Sequence, residues 1–193
     1  MNICVFSSSS NAVADCYLSE AENLATLIAE NNMTLINGGA NVGLMELVSK
    51  TASAKGAKTI GIIPEKMKHN NLVSDHSHEV IISKDMQERK SMMREMANAF
   101  IALPGGFGTL EEILEVITLK QLAYLHEAIV FINTNGFFDD LFKQFEKSYQ
   151  EKFAKENYRK LYFIANDSNE AIEYIKSYIP EDMGTKWFHV PVR

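Results

Sequence analysis

The stretch AFIALPGGFGTLEEILEVITLKQL, residues 99–122, runs without a break through three kinds of local pattern. Residues 99–103 are a short apolar run, the pattern of a buried strand. From Thr109 onward apolar residues recur at helical spacing to about Tyr124. Between the two, Gly105, Gly106 and Gly108 place three glycines within four positions. Glycine at that density removes side chains so that backbone can approach something closely. Strand, glycine turn and helix together form the unit from which parallel sheets with helical crossovers are built.

The same unit recurs along the chain. Apolar runs at 2–7, 33–37, 58–64, 79–83, 128–133 and 161–166 read as further strands. Helical spacing covers 14–31, 43–55, 85–98 and 137–149, and resumes after Asp167. The strands are continuous apolar runs rather than alternating ones, as expected when helices cover both faces of a sheet. The expectation is an α/β fold: a doubly wound parallel sheet in three α/β/α layers. Residues 1–193 carry no linker, repeat or low-complexity tract, so one domain is expected, with a polar tail from about 180. Trp187 and Phe188 lie in that tail, where capping a partner subunit and folding back are both open.

A hydrophobic share of 46% and a charged share of 23% match a water-soluble globular chain. The net charge of −6 opposes a broad nucleic-acid footprint, which needs a basic face, but leaves room for a small anionic ligand at a local site. Cys4 and Cys16 fit no disulfide or zinc spacing and read as reduced thiols. No apolar run reaches membrane-spanning length and no basic leader precedes the first one, so a cytoplasmic protein is expected.

In a doubly wound sheet ligands gather beyond the carboxyl ends of the strands. Two turns there are glycine-rich: NGGANVGLME (37–46), with Gly39 and Gly43, and PGGFGTLEE (104–112), with Phe107 between its glycines. Each can offer free backbone N–H groups and a helix N-terminus to an anion. The dinucleotide fingerprint is absent, because the first strand runs into SSSSN (7–11), and so is the ATP-type phosphate loop. A hydroxyl-rich turn beside two glycine turns suits a mononucleotide or phosphosugar; the plainer alternative is tight turns alone.

Thr109 and Glu112 stand at the spacing of a capping box, the simplest reading of that pair from spacing alone. Glu111 and Glu112 also suit the positive end of a helix. Met86, Arg89, Met93 and Met96 form one helical stripe, so Arg89 must either snorkel to water or face a buried anion. The irregular segment 65–78 holds His69, Asp75, His76 and His78. Its HxH spacing supports a solvated or site-flanking loop rather than a metal site.

Residues 88–122, ERKSMMREMANAFIALPGGFGTLEEILEVITLKQL, resemble the LONELY GUY family of cytokinin riboside 5′-monophosphate phosphoribohydrolases, whose members are often mislabelled lysine decarboxylases. Both family signatures are intact: P-G-G-x-G-T-x-x-E at 104–112 and an Arg-Lys pair at Arg89 and Lys90. The resemblance extends over 2–166 and takes in GGANVGLM and GIIP. It implies a Rossmann-like fold, a homodimer with the site near the subunit interface, and hydrolysis of the N-glycosidic bond of an adenosine monophosphate to a free, often N6-substituted, adenine and ribose 5-phosphate. Arg89 and Glu112 would be the catalytic pair. Gly105, Gly106, Gly108 and Thr109 would hold the 5′-phosphate, while Lys90 and Thr118 would line the nucleotide site with Phe107, Gly39 and Gly43. No metal or redox cofactor, nucleic acid or membrane is implied.

The chain departs from the family pattern at Ser8, Ala40, Glu46 and Leu119, and at LHEA (125–128). These positions bear on the substrate more than on the reaction class. A binding or carrier module of the same fold, holding a nucleotide or phosphorylated cofactor without turnover, is the second reading. No lysine stands in a recognisable pyridoxal-phosphate setting, which disfavours a decarboxylase.

Overall fold

The computed structural model describes residues 1–184; Trp187 and Phe188 lie outside the described residues. Seven parallel strands form one sheet: β1 (Asn2–Phe6), β2 (Thr34–Asn37), β3 (Thr59–Pro64), β4 (Glu79–Ser83), β5 (Ala99–Ala102), β6 (Ala128–Ile132) and β7 (Phe163–Ala165). Their order across the sheet is β4-β3-β2-β1-β5-β6-β7. The chain therefore winds outward from β1 to one edge, returns, and winds outward again from β5. Between β1 and β5 successive crossovers leave in opposite directions, and a crevice opens above the strand ends there.

Helices α1 (Asp15–Glu30), α2 (Gly43–Ala54) and α7 (Ser168–Ser177) cover one face, while α4 (Met86–Met96), α5 (Phe107–Gln121) and α6 (Asp139–Gln150) cover the other. A short helix, α3 (Glu65–Lys68), follows β3. The two-residue period of the strands divides the core between the faces. Ile3 and Val5 of β1 pack under α1 and α2, whereas Cys4 and Phe6 pack with Met93 of α4 and Ile113 of α5. The same alternation holds in β5, where Ala99 and Ile101 take one face and Phe100 and Ala102 the other. Burial on both faces is why these strands read as unbroken apolar runs.

β4 breaks that expectation. It pairs only with β3, and Val80 and Ile82 stand partly open to solvent, because an edge strand has no neighbour to shield it. The final strand is shorter than the run 161–166, since Leu161 ends a 3-10 turn (Glu156–Leu161) and is buried there. The loop after α3 folds back onto the β2–α2 turn: Asn41 N donates to Leu72 O at 3.0 Å and Ser74 N to Gly39 O at 2.9 Å. Its histidines diverge. His69 approaches Glu65, His76 approaches Glu46, and His78 Nδ1 accepts from Thr59 N. Among the described residues no group of three or more His, Cys, Asp or Glu could hold a metal ion, and no helix is long and apolar enough to cross a membrane. Cys4 is buried and Cys16 exposed, and neither is in a disulfide.

Candidate active site

The site grows from the two strands that flank the crevice. After β5, Leu103 N still donates to Phe6 O at 3.0 Å, and the chain then breaks into the glycine turn. Gly106, extended at φ −85° and ψ −155°, occupies the cap position of α5 and has no side chain to satisfy the first turn. A Cβ added at Gly106 or Gly108 would meet nothing within 4 Å, so this 15-residue helix presents its positive end to open space.

The capping box expected of Thr109 and Glu112 does not form. Because Gly106 caps the helix, α5 starts at Phe107 rather than Thr109, and Thr109 is already inside its first turn. Its side chain turns inward against Gly105, where a Cβ would lie 2.1 Å from Thr109 Oγ1. Gly105 is thus a packing glycine, while Gly106 and Gly108 face the crevice. Gly105→Ala is expected to lose about 1–3 kcal/mol through overpacking, and Gly106→Ala less, about 1 kcal/mol or under, the cost of alanine in place of glycine at a helix cap. Thermal unfolding of the two variants checks this.

Arg89 and Glu112 meet beneath that turn. Asp85 caps α4 by accepting from Gln87 N and Glu88 N, which sets the helix phase that carries Arg89 inward. Of the expected stripe, Arg89 and Met93 are buried, whereas Met86 is 49% exposed. Arg89 does not snorkel. Its Nε donates to Ile62 O at 3.0 Å and its Nη1 to Glu112 Oε1 at 3.0 Å, with only 5% of Arg89 and 8% of Glu112 exposed. Burial raises the Glu112 pKa, with Glu111 adding to the effect, while the Arg89 guanidinium pulls it back down; the net shift is upward. Burial also pushes the Cys4 thiol, behind this pair, well up.

A cavity of about 410 Å³ lies over the pair, walled by Ser7–Ser10 after β1, the α5 N-terminus, Met45 of α2 and Met67 of α3. Phe107 lines its mouth and is 95% exposed. Arg89, Glu112, Gly106, Phe107, Gly108 and Thr109 all border this space. Five other expected residues do not: Gly105, packed against Thr109 as above, and four more. Lys90 is largely covered and bridges α4 to α5 through Glu111, which does line the cavity, and, at 3.0 Å, Glu115. Thr118 is exposed and donates to Leu114 O at 2.8 Å, within its own helix. Gly39 and Gly43, both at positive φ, close loops on one another. Gly39 passes against Gly61, and its N–H goes to Asn37 Oδ1 at 2.9 Å. Gly43 abuts Ser8 and Ser9, and its N–H goes to Asn11 Oδ1 at 2.8 Å. Their donors are spent inside the protein, which leaves the helix end as the glycine turn open to an anion.

Sequence reading alone did not find Met45, Met67 or the Ile62 carbonyl. Methionine at helical spacing carries no mark of a cavity wall, and a backbone carbonyl has no sequence signal at all.

Fold and site together define a class: a Rossmann-like α/β protein with an open helix N-terminus and a buried Arg–Glu pair at the switch point of its sheet. A family model described as "Possible lysine decarboxylase" matches residues 45–175. Cytokinin riboside 5′-monophosphate phosphoribohydrolase LOG5 of Arabidopsis thaliana is 35% identical over 182 residues, covering 94% of this chain and 80% of the relative. LOG2 of the same plant is 36% identical over 179 residues, covering 93% and 84%. The chain belongs to the LONELY GUY family. Among solved structures, the molybdenum cofactor binding protein of Rippkaea orientalis superposes with a TM-score of 0.71 at 29% identity, covering 91% of this chain and 95% of that one. The Moco carrier protein of Chlamydomonas reinhardtii, with a TM-score of 0.68 at 23% identity and coverage of 91% and 94%, shares the fold.

Proposed function

We propose that this protein hydrolyses the N-glycosidic bond of AMP or an N6-modified AMP, releasing the adenine base and ribose 5-phosphate. The observation that carries the reading is the buried Arg89–Glu112 pair on the floor of a cavity rimmed by the α5 N-terminus. The 5′-phosphate would sit at the open helix end, where unpartnered N–H groups and the helix dipole favour an anion. Ribose then falls over Glu112, one turn inside the same helix. As the C1′–N9 bond breaks, positive charge develops at C1′ and the Glu112 carboxylate stabilises it. Water adds its oxygen to C1′ and passes a proton to Glu112, the departing base takes up a proton at nitrogen from solvent, and Glu112 then returns its own to solvent. Arg89 hydrogen-bonds Glu112 and the Ile62 carbonyl, so its role in this scheme is to hold the carboxylate.

A homodimer in the cytoplasm completes the proposal. Phe107 and Met86 leave an apolar rim at the cavity mouth that a second copy would cover, and the two unpaired thiols suit a reducing compartment. The test is incubation with AMP and N6-isopentenyl-AMP while free base and ribose 5-phosphate are followed. Tight nucleotide retention without base release would instead favour the carrier reading, which the likeness to the Rippkaea orientalis protein keeps in view.

The pH dependence has a defined sign. Glu112 works ionised and its pKa lies above the ordinary 4.5, so kcat should fall on the acid side with a midpoint above that value. A profile at saturating nucleotide checks this; a midpoint at or below the ordinary value contradicts it.

A further inference from the structure

Gly38 follows β2 directly, in the same turn as Gly39 and Gly43, and differs from them in one respect. Its φ lies outside the left-handed region, so no left-handed backbone calls for glycine there. The reason for glycine must therefore be space. A Cβ at Gly38 would lie 1.7 Å from Arg89 Nη2 and 2.9 Å from Arg89 Cζ. The only other atom among its three nearest neighbours is Met45 Sδ, also at 2.9 Å. A methionine end can swing aside at small cost. The guanidinium has less freedom, because Nε is tied to Ile62 O and Nη1 to Glu112 Oε1, each at 3.0 Å. A planar group fixed at two of its nitrogens cannot yield to a methyl at the third without giving up one of those bonds.

We propose that Gly38 is a positioning residue for the reaction: the missing side chain there is the space that Arg89 occupies while it holds Glu112. The second glycine turn then has a division of labour. Gly39 and Gly43 shape the loop, and Gly38 admits a side chain that arrives from α4, on the far side of β3 in sequence. The assignment rests on the hydrolase reading for its consequence in turnover, but its geometry stands without it.

Two readouts keep the two apart. In turnover, Gly38→Ala should lose roughly 10²-fold in kcat, the scale of a 1 Å misplacement at a reacting centre. Arg89→Lys removes Nη2 altogether, so adding Gly38→Ala to it should cost less than about 2-fold more, a non-additive cycle. In titration, the Glu112 carboxyl followed by carbon NMR should move to higher pH in Gly38→Ala, because the displaced guanidinium no longer favours the ionised form. That movement should vanish in the Arg89→Lys background. The titration needs no activity, so a wild type that cleaves no nucleotide would overturn the hydrolase reading and leave this proposal to be decided by NMR.

Should Gly38→Ala fold poorly, melting temperatures replace the titration. The methyl should cost on the order of 5 °C beside Arg89 and close to nothing beside Lys at position 89. An unchanged Glu112 titration in a folded Gly38→Ala overturns the proposal. So do losses that multiply in the double variant, or recovery of Gly38→Ala by Met45→Ala, which would make Met45 the obstacle.

Discussion

Glu112→Gln is expected to lower kcat by about 10³-fold or more while the protein stays folded, with a melting temperature at pH 7 equal to or above that of the wild type. The loss of activity follows from removing the one buried carboxylate on the cavity floor. A neutral amide neither stabilises charge at C1′ nor accepts the proton of water, and groups in such roles contribute on the order of 10²–10⁴ each. The retained fold follows from linkage. Burial holds the Glu112 pKa above its unfolded value even with Arg89 present. A carboxyl with a raised folded pKa contributes stability that is fully present below the unfolded pKa and is lost as pH rises through the folded one. At neutral pH the charge therefore works against the fold, and an uncharged isostere that still accepts from Arg89 removes that cost. A capping role for Glu112 makes the opposite demand, since a lost cap lowers stability and spares turnover. Melting curves and single-turnover rates on one preparation separate the two, and a variant both unstable and active would contradict the site described here.

Arg89→Ala should do the reverse: destabilise strongly and in a pH-dependent way. Removing the cation of this pair costs about 3–5 kcal/mol, because Glu112, whose charge burial already disfavours, is left with neither counter-charge nor donor, whereas glutamine at 112 still accepts from Arg89. For a chain of this size that is a drop of roughly 6–20 °C in melting temperature. Arg89 lowers the Glu112 pKa, so its removal pushes that pKa higher still. The penalty is present above the folded pKa and is relieved as pH falls through it, because a protonated Glu112 needs no counter-charge. Arg89→Ala should thus regain part of its deficit as pH is lowered from neutral toward the ordinary carboxylate value, and Arg89→Ala/Glu112→Gln should show no such recovery. Thermal melts of the three proteins across that range provide the measurement; a deficit independent of pH would mean that Glu112 carries no buried charge. Turnover falls as well, since the carboxylate loses the donor that orients it.

These two residues also show where sequence reading reached its limit. Strand and helix were legible because the helices are written in a period of 3.6 residues and the strands, most of them buried on both faces, as short unbroken apolar runs. The run 99–103 became β5 and the helix after it became α5 for that reason. The open edge at β4 was not legible, because an edge strand of isoleucine and valine has the composition of a central one. Site residues followed the same division. The glycine turn announced an anion-ready helix end, and the resemblance to a family pointed to Arg89 and Glu112.

What the pair does with its charges was set by partners 23 and 27 residues away in sequence, Glu112 across the crevice and the Ile62 carbonyl under it. Thr109 illustrates the point in miniature. Its spacing to Glu112 fits a cap, yet the cap depends on where the helix begins, and the extended Gly106 takes the cap position three residues earlier. Lys90 stands beside Arg89 in sequence but 100° round the helix, which sends it to Glu111 and Glu115 rather than to Glu112. By itself, then, the sequence determined the layers of the fold, the glycine turn at the switch point and the family. Only the tertiary structure decided which charges meet in the dark and which in water, because burial and pairing depend on elements brought together from distant parts of the chain.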